Sequence, residues 1–169
     1  MSIPIPTLDA IEDFLAQKRI AMAGISRNPK DFSASLFREL CRRGYEVVPV
    51  NPNASEVLGK PCFSHVQDIQ PKVDAVLALT SPPVTDMVVA DCAVAGVSRI
   101  WMYRAVGKGA ISEKAIAFCQ ERGIHVIAGQ CPFMFLGGTD AIHRLHGLFR
   151  KMTGRFPKRS PVVQPVASA

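Results

Sequence analysis

A single α/β domain built on a parallel sheet is the fold this sequence predicts. Three observations carry the prediction. Short apolar runs alternate along the chain with stretches of helical spacing. The runs are apolar at successive positions rather than at every second one, as in strands covered on both faces. The chain has 169 residues, 48% of them apolar, which suits one well-filled domain.

The elements follow in order. Residues 7–17 read as a helix, with Thr7 as N-cap, acids at Asp9 and Glu12, and Ile11, Phe14 and Leu15 on one face. Arg19–Ala23 is the first strand. Ser33–Arg43 is a helix with Leu36, Phe37 and Leu40 inward, stopped by Gly44. Tyr45–Val50 is the second strand, ended by the turn signal Asn51-Pro52-Asn53. Residues 53–70 are less regular, with a short helix expected around Ser55–Leu58. Asp74–Leu79 is the third strand, Val84–Ala95 a helix closed by Gly96, and Arg99–Met102 the fourth strand. Ser112–Arg122 is a helix ended by Gly123, and His125–Ala128 the fifth strand. Thr139–Met152 is a last helix. Residues 1–152 thus form the domain, and 153–169 a basic, flexible tail. Right-handed crossovers between about five parallel strands give a three-layer α/β/α, Rossmann-like sheet.

Composition narrows the function. The net charge of +6 comes from Arg144, Arg150, Lys151, Arg155, Lys158 and Arg159, with no acid after Asp140, so the body of the domain is neutral. Leu145, Leu148 and Phe149 give the basic helix a packing face, and the aromatic–basic interleaving of a single-strand binder is missing, which argues against a nucleic-acid partner. No apolar run approaches the roughly 20 residues of a membrane span, and the N-terminus lacks the pattern of a signal peptide. A soluble, cytoplasmic protein is expected, with no membrane partner. Five cysteines, an odd number without a Cys-x-x-Cys pair, argue against a disulfide framework or a zinc site. Cys41, Cys92 and Cys119 lie in helical patterns and read as small core residues. His143 and His146 have no thiol or carboxylate nearby to complete a metal shell, so no metal is expected. No acid/base pair or Ser–His constellation is visible, and no catalytic residue is assigned.

In a sheet of this kind the ligand sits beyond the carboxyl ends of the strands, at the switch point. The first loop, Gly24–Lys30, leads from strand to helix, where amides and the helix dipole favour phosphate. Arg27 and Lys30 add positive charge there. A dinucleotide fingerprint would need more glycines in this loop and an acid after the second strand. Only Gly24 is present, and Asn51 stands at the acid's place. An amide there tolerates a phosphate on the adenosine ribose, and Lys60 is within reach. NADP and coenzyme A both satisfy this chemistry. Trp101 either packs under a helix or faces the crevice, and core packing is the favoured reading. Cys131, after the fifth strand, falls at the ligand mouth.

Several segments then converge on a known family. Ala23-Gly-Ile-Ser-Arg-Asn-Pro-Lys30, Gly44-Tyr-Glu-Val-Val-Pro-Val-Asn-Pro52, Leu58-Gly-Lys60, Ser81-Pro-Pro83, Ile100-Trp-Met102 and Gly123-Ile-His-Val-Ile127 followed by Cys131 recur in that order and spacing. Over residues 19–131 the chain resembles the small stand-alone CoA-binding proteins, whose domain is related to the N-terminal domain of the succinyl-CoA synthetase α subunit. The resemblance implies a domain that binds coenzyme A or an acyl-CoA, a small-molecule nucleotide, without chemistry of its own. It implies that Gly24, Ser26 and Arg27 lie against the phosphates and that Asn51 and Pro52 flank the ribose, with Lys60 near its phosphate. Ser81, Pro82 and Pro83 would border the pyrophosphate and pantetheine path. Trp101, Met102 and Tyr103 would line the lip of the fourth strand. Tyr103-Arg-Ala-Val-Gly107 replaces the family's small polar residue and glycine, and Gly129-Gln130 replaces its Asp-Arg pair, both at the thiol end. The alternatives are an NADP-dependent oxidoreductase and the nucleotide-binding subunit of a CoA ligase. A homo-oligomer is compatible with the sequence.

Overall fold

The computed structural model describes residues 5–104, 107, 109–137 and 157–160. Helix α1, Leu8–Ala16, starts at Thr7, whose Oγ1 accepts the Ala10 amide at 3.2 Å. It leads into β1, Arg19–Ala23. Helix α2, Phe32–Arg42, and β2, Glu46–Val50, follow at the places the sequence predicts, each shifted by about one residue, an ordinary uncertainty at element ends. The short helix expected around Ser55–Leu58 is not there. The segment is a hairpin of β3, Glu56–Val57, and β4, Lys60–Pro61. Its two-residue turn places Leu58 at φ 51° and Gly59 at φ 76°. Two successive positive φ angles match the twist of a tight hairpin and end any helix.

A 3₁₀ turn at Val66–Asp68 precedes β5, Ala75–Ala78. Helix α3, Pro82–Ala95, begins two residues before the predicted start. Proline at the first helical positions loses an N–H that has no partner there anyway. Then come β6, Arg99–Met102; α4, Glu113–Glu121, capped by Ser112; and β7, His125–Ala128. The expected last helix, Thr139–Met152, lies outside the described residues. Pro157–Ser160 runs beside the start of α1: Leu8 N donates to Lys158 O at 2.9 Å, and Ser160 N to an Asp9 carboxylate oxygen at 2.7 Å.

The five long strands form one parallel sheet in the order β2-β1-β5-β6-β7. Register aligns Val50, Ala23, Ala78, Met102 and Ala128 in one row, so all five strands end together. One face packs against α1 and α2 through Ile11, Phe14, Leu36, Phe37 and Leu40; the other packs against α3 and α4 through Val88, Val89, Cys92, Ile116 and Cys119. This is the predicted three-layer α/β/α arrangement. Trp101 is fully buried on the α1 side, 5.3 Å edge-on from Phe14, and its Nε1 donates to Gln130 O at 2.9 Å. Cys92 and Cys119 are core residues as expected, and Cys41 is half-buried. No described helix is long and apolar enough to cross a membrane.

Candidate functional site

The chain moves outward from β1 to β2 and then crosses back to β5. The connections after β1 and β5 therefore diverge to opposite faces, and the switch point lies between Ala23 and Ala78. A cleft of about 390 Å³ opens there. It is lined by Gly24, by Leu79 and Thr80, by Asp31, Phe32 and Ser33, and by Tyr103, Gly109 and Ala110.

Gly24 is fixed by packing. Its φ is +87°, and a Cβ there would lie 2.6 Å from the Leu79 carbonyl oxygen. Only glycine lets the loops after β1 and β5 approach this closely. Beyond it the small polar residues brace one another. Ser33 Oγ accepts the Ser26 amide at 2.9 Å, Ser26 Oγ the Asn28 amide at 3.1 Å, and Asn28 Oδ1 the Lys30 amide at 3.1 Å. Asp31 occupies the N-cap position of α2, yet its side chain does not cap: it accepts from Asn28 Nδ2 at 2.9 Å. The amides of Phe32, Ser33 and Ala34 thus head α2 with no side chain across them. Such amides carry the positive end of the helix dipole, which favours negative charge.

Arg27 and Lys30 are exposed on this loop, and no described acid pairs with either. Arg38 reaches back from α2 to donate to Pro29 O at 2.7 Å, a third cation that the sequence reading did not single out. Its only signal was its place two turns into the helix, on the same side as the loop. Helix α3 differs from α2. Ser81 is its N-cap without a side-chain bond, and Pro82 and Pro83 remove two of the amides an anion would use. Thr80, not Ser81 or the prolines, lines the cleft; its hydroxyl bonds to that of buried Thr85 at 2.8 Å.

The remaining predicted residues spread along the same edge. Asn51 Oδ1 accepts the Asn53 amide at 2.9 Å in an Asx turn, which turns its oxygen inward. Pro52 is exposed beside it. Lys60 lies exposed on β4. Met102 is fully buried in the α3–α4 core, off the cleft. Tyr103 does line the cleft, its ring stacked on Phe32 with centroids 4.6 Å apart. Burial pushes its hydroxyl up to about 12, with nearby Cys131 adding to the shift. Cys131 is itself nearly buried. Among the described residues no group of His, Cys, Asp and Glu could hold a metal ion.

Fold and cleft define a Rossmann-like α/β domain whose cleft opens at the switch point of its sheet, beside the head of the helix after the first strand. The chain belongs to the family described as a CoA binding domain, whose model matches residues 18–136. It is 28% identical to an uncharacterized protein of Bacillus subtilis, YneT, over 75% of this chain and 91% of that one. It is 28% identical over 54% of its length to 14% of an ADP-forming acetate–CoA ligase of Archaeoglobus fulgidus. Among solved structures it is similar to a hypothetical protein from Pyrococcus horikoshii, with a TM-score of 0.70 and 28% identity over 78% of this chain and 94% of that one. The chain thus spans nearly all of the small relatives but only a small part of the ligase.

Proposed function

We propose that this protein binds coenzyme A or an acyl-CoA and performs no chemistry on it. The open N-terminus of α2 beside Gly24, with Arg27 and Lys30 on the loop before it and Arg38 reaching back to Pro29, carries the reading. The pyrophosphate sits on the Phe32–Ala34 amides. From there the adenosine extends over the β2 end, where Asn51 keeps its amide N–H₂ as a donor and no carboxylate repels the ribose phosphate. The pantetheine arm runs the other way, across the ends of β5 and β6 toward Cys131. Membership of the CoA-binding family supports the ligand, and the strand order supports the direction of the arm.

Thermal unfolding with a ligand panel tests this. A ligand at about 100 times its Kd stabilises by roughly 2.7 kcal/mol. CoA raises Tm, while NAD, NADP and ATP leave it unchanged; stabilisation by NADP and not CoA would transfer the site to a dinucleotide. Arg27→Ala weakens CoA binding by about tenfold, the value of one charge-assisted bond, without lowering the unliganded Tm. Equal affinity in that variant removes Arg27 from the site. A second reading, the nucleotide-binding subunit of a CoA ligase, is favoured by the match to the ADP-forming ligase. It requires a separate catalytic chain, and a co-purified partner that confers ADP-forming ligase activity would establish it.

A further inference from the structure

Helix α3 carries two apolar faces, and the fold covers one of them. Thr85, Val88, Val89 and Cys92 are buried on its inner side. On the opposite side Pro83, Met87, Ala90 and Val94 are exposed, Met87 at 58% and Val94 at 73%. At 3.6 residues per turn these four fall within about 60° of arc, in a stripe about 16 Å long. Their spacing alternates between four and three residues, the pattern of a seam between two packed helices. Single exposed apolar residues are ordinary on a protein surface, but a continuous stripe marks a contact surface. The two acids of the helix do not interrupt it. Asp86 accepts from Ser112 Oγ at the head of α4, and Asp91 accepts the Val66 amide at 3.3 Å with His65 Nδ1 3.1 Å away. Each acid is drawn to a neighbouring element on its own flank of the helix.

Two features select a second copy of this chain as the occupant. The stripe complements itself: an antiparallel pairing about a two-fold axis midway between Val88 and Val89 sets Met87 against the partner's Ala90 and Pro83 against the partner's Val94. Long side chains facing small ones let two helices interdigitate, and a two-fold contact requires this match of a patch with itself. The chain's own remaining stretch, 138–156, starts and ends on the other side of the sheet. Gly137 O accepts from Arg43 at the end of α2, and Pro157–Ser160 runs beside α1. We infer that the outer face of α3 pairs two copies of this chain in an antiparallel, two-fold dimer. A single helix face is smaller than the roughly 800 Å² per partner of a stable complex. The same axis also brings Asp86 near the partner's Asp91, which lowers affinity further. The dimer is therefore weak and concentration-dependent, and it does not depend on the CoA reading.

Sedimentation of the full chain at rising concentration, with no ligand added, tests this. The wild type shifts from the mass of one chain toward twice that mass between about 10 µM and 1 mM, the regime of a small interface. Met87→Glu places an acid in the seam of each copy and weakens association at least about tenfold. Ala90→Met sets two long side chains against each other and weakens it by a similar factor. Combining Met87→Ala with Ala90→Met exchanges the long and small positions and returns association to within about threefold of the wild type. Ile5→Glu, at an exposed apolar residue away from α3, leaves association unchanged. These are surface positions, so Tm of each variant stays near the wild-type value. A wild type that is monomeric throughout overturns the inference and leaves the stripe to a partner of different sequence. Association that Met87→Glu leaves unchanged overturns it by moving the contact elsewhere. Failure of the combined variant to recover what Ala90→Met loses overturns the antiparallel register.

Discussion

Asp31→Asn is predicted to tighten CoA binding while loosening the fold. The Asp31 carboxylate is exposed at the N-cap of α2 and bonds to Asn28 Nδ2 rather than to the helix amides. A phosphate seated on those amides would lie one helical turn, about 5 Å, from it. At the dielectric of an exposed site that repulsion is about 0.8 kcal/mol per unit charge. Removing it raises affinity about fourfold at low ionic strength, and roughly half of the gain survives at 0.15 M salt, where the screening length is about 8 Å. The unliganded protein moves the other way. An acid at the positive end of a helix stabilises by about 0.3–1 kcal/mol, and its loss lowers Tm by about 1–4 °C for a chain of this size. Calorimetry at two salt concentrations and thermal unfolding of the free protein measure both. Affinity that is unchanged or falls on neutralising Asp31 would show that no anion binds at the head of α2.

Other consequences follow from the same geometry. Gly24→Ala forces a Cβ to 2.6 Å from the Leu79 carbonyl at a φ of +87°; positive φ alone costs about 1–2 kcal/mol, so Tm falls by at least about 2 °C, and an unchanged Tm would mean the two loops are not in contact. Glu39 is held down to about 2 by hydrogen bonds from Arg42 and Arg43. Because its folded value is depressed, the stability it adds is present above about pH 4.5 and fades as pH falls toward 2; acid titration of wild type against Glu39→Gln should show a gap, below about 1 kcal/mol for a surface cluster, that closes over that window. Burial pushes the thiols of Cys92 and Cys119 up, so a thiol reagent at pH 8 should label neither until the protein unfolds.

The fold was legible because its signals were local and redundant. The five runs Arg19–Ala23, Tyr45–Val50, Asp74–Leu79, Arg99–Met102 and His125–Ala128 are largely apolar, and all but Tyr45–Val50 are followed by a stretch of helical spacing. The β3–β4 hairpin escaped because its turn depends on a leucine at positive φ, which no propensity signals. In the site, the Gly24–Lys30 loop was readable from its glycine, its cations and its place before a helix. Met102 was placed at the lip because a strand buried on both faces gives no alternation to separate inward from outward residues. The same ambiguity left Trp101 open until its partners Phe14 and Gln130 were seen. Phe32, Thr80, Gly109 and Ala110 were missed as lining residues since they come from three separate loops, which only the β1–β5 switch brings together.

Backbone amide NMR during titration with CoA tests the central claim most directly. The account predicts that the Phe32, Ser33 and Ala34 amides move downfield together as they begin to donate to phosphate, with changes at Gly24 and Thr80 along the cleft. Shifts confined to α3, α4 or the far end of the sheet, with the head of α2 silent at saturating CoA, would contradict it.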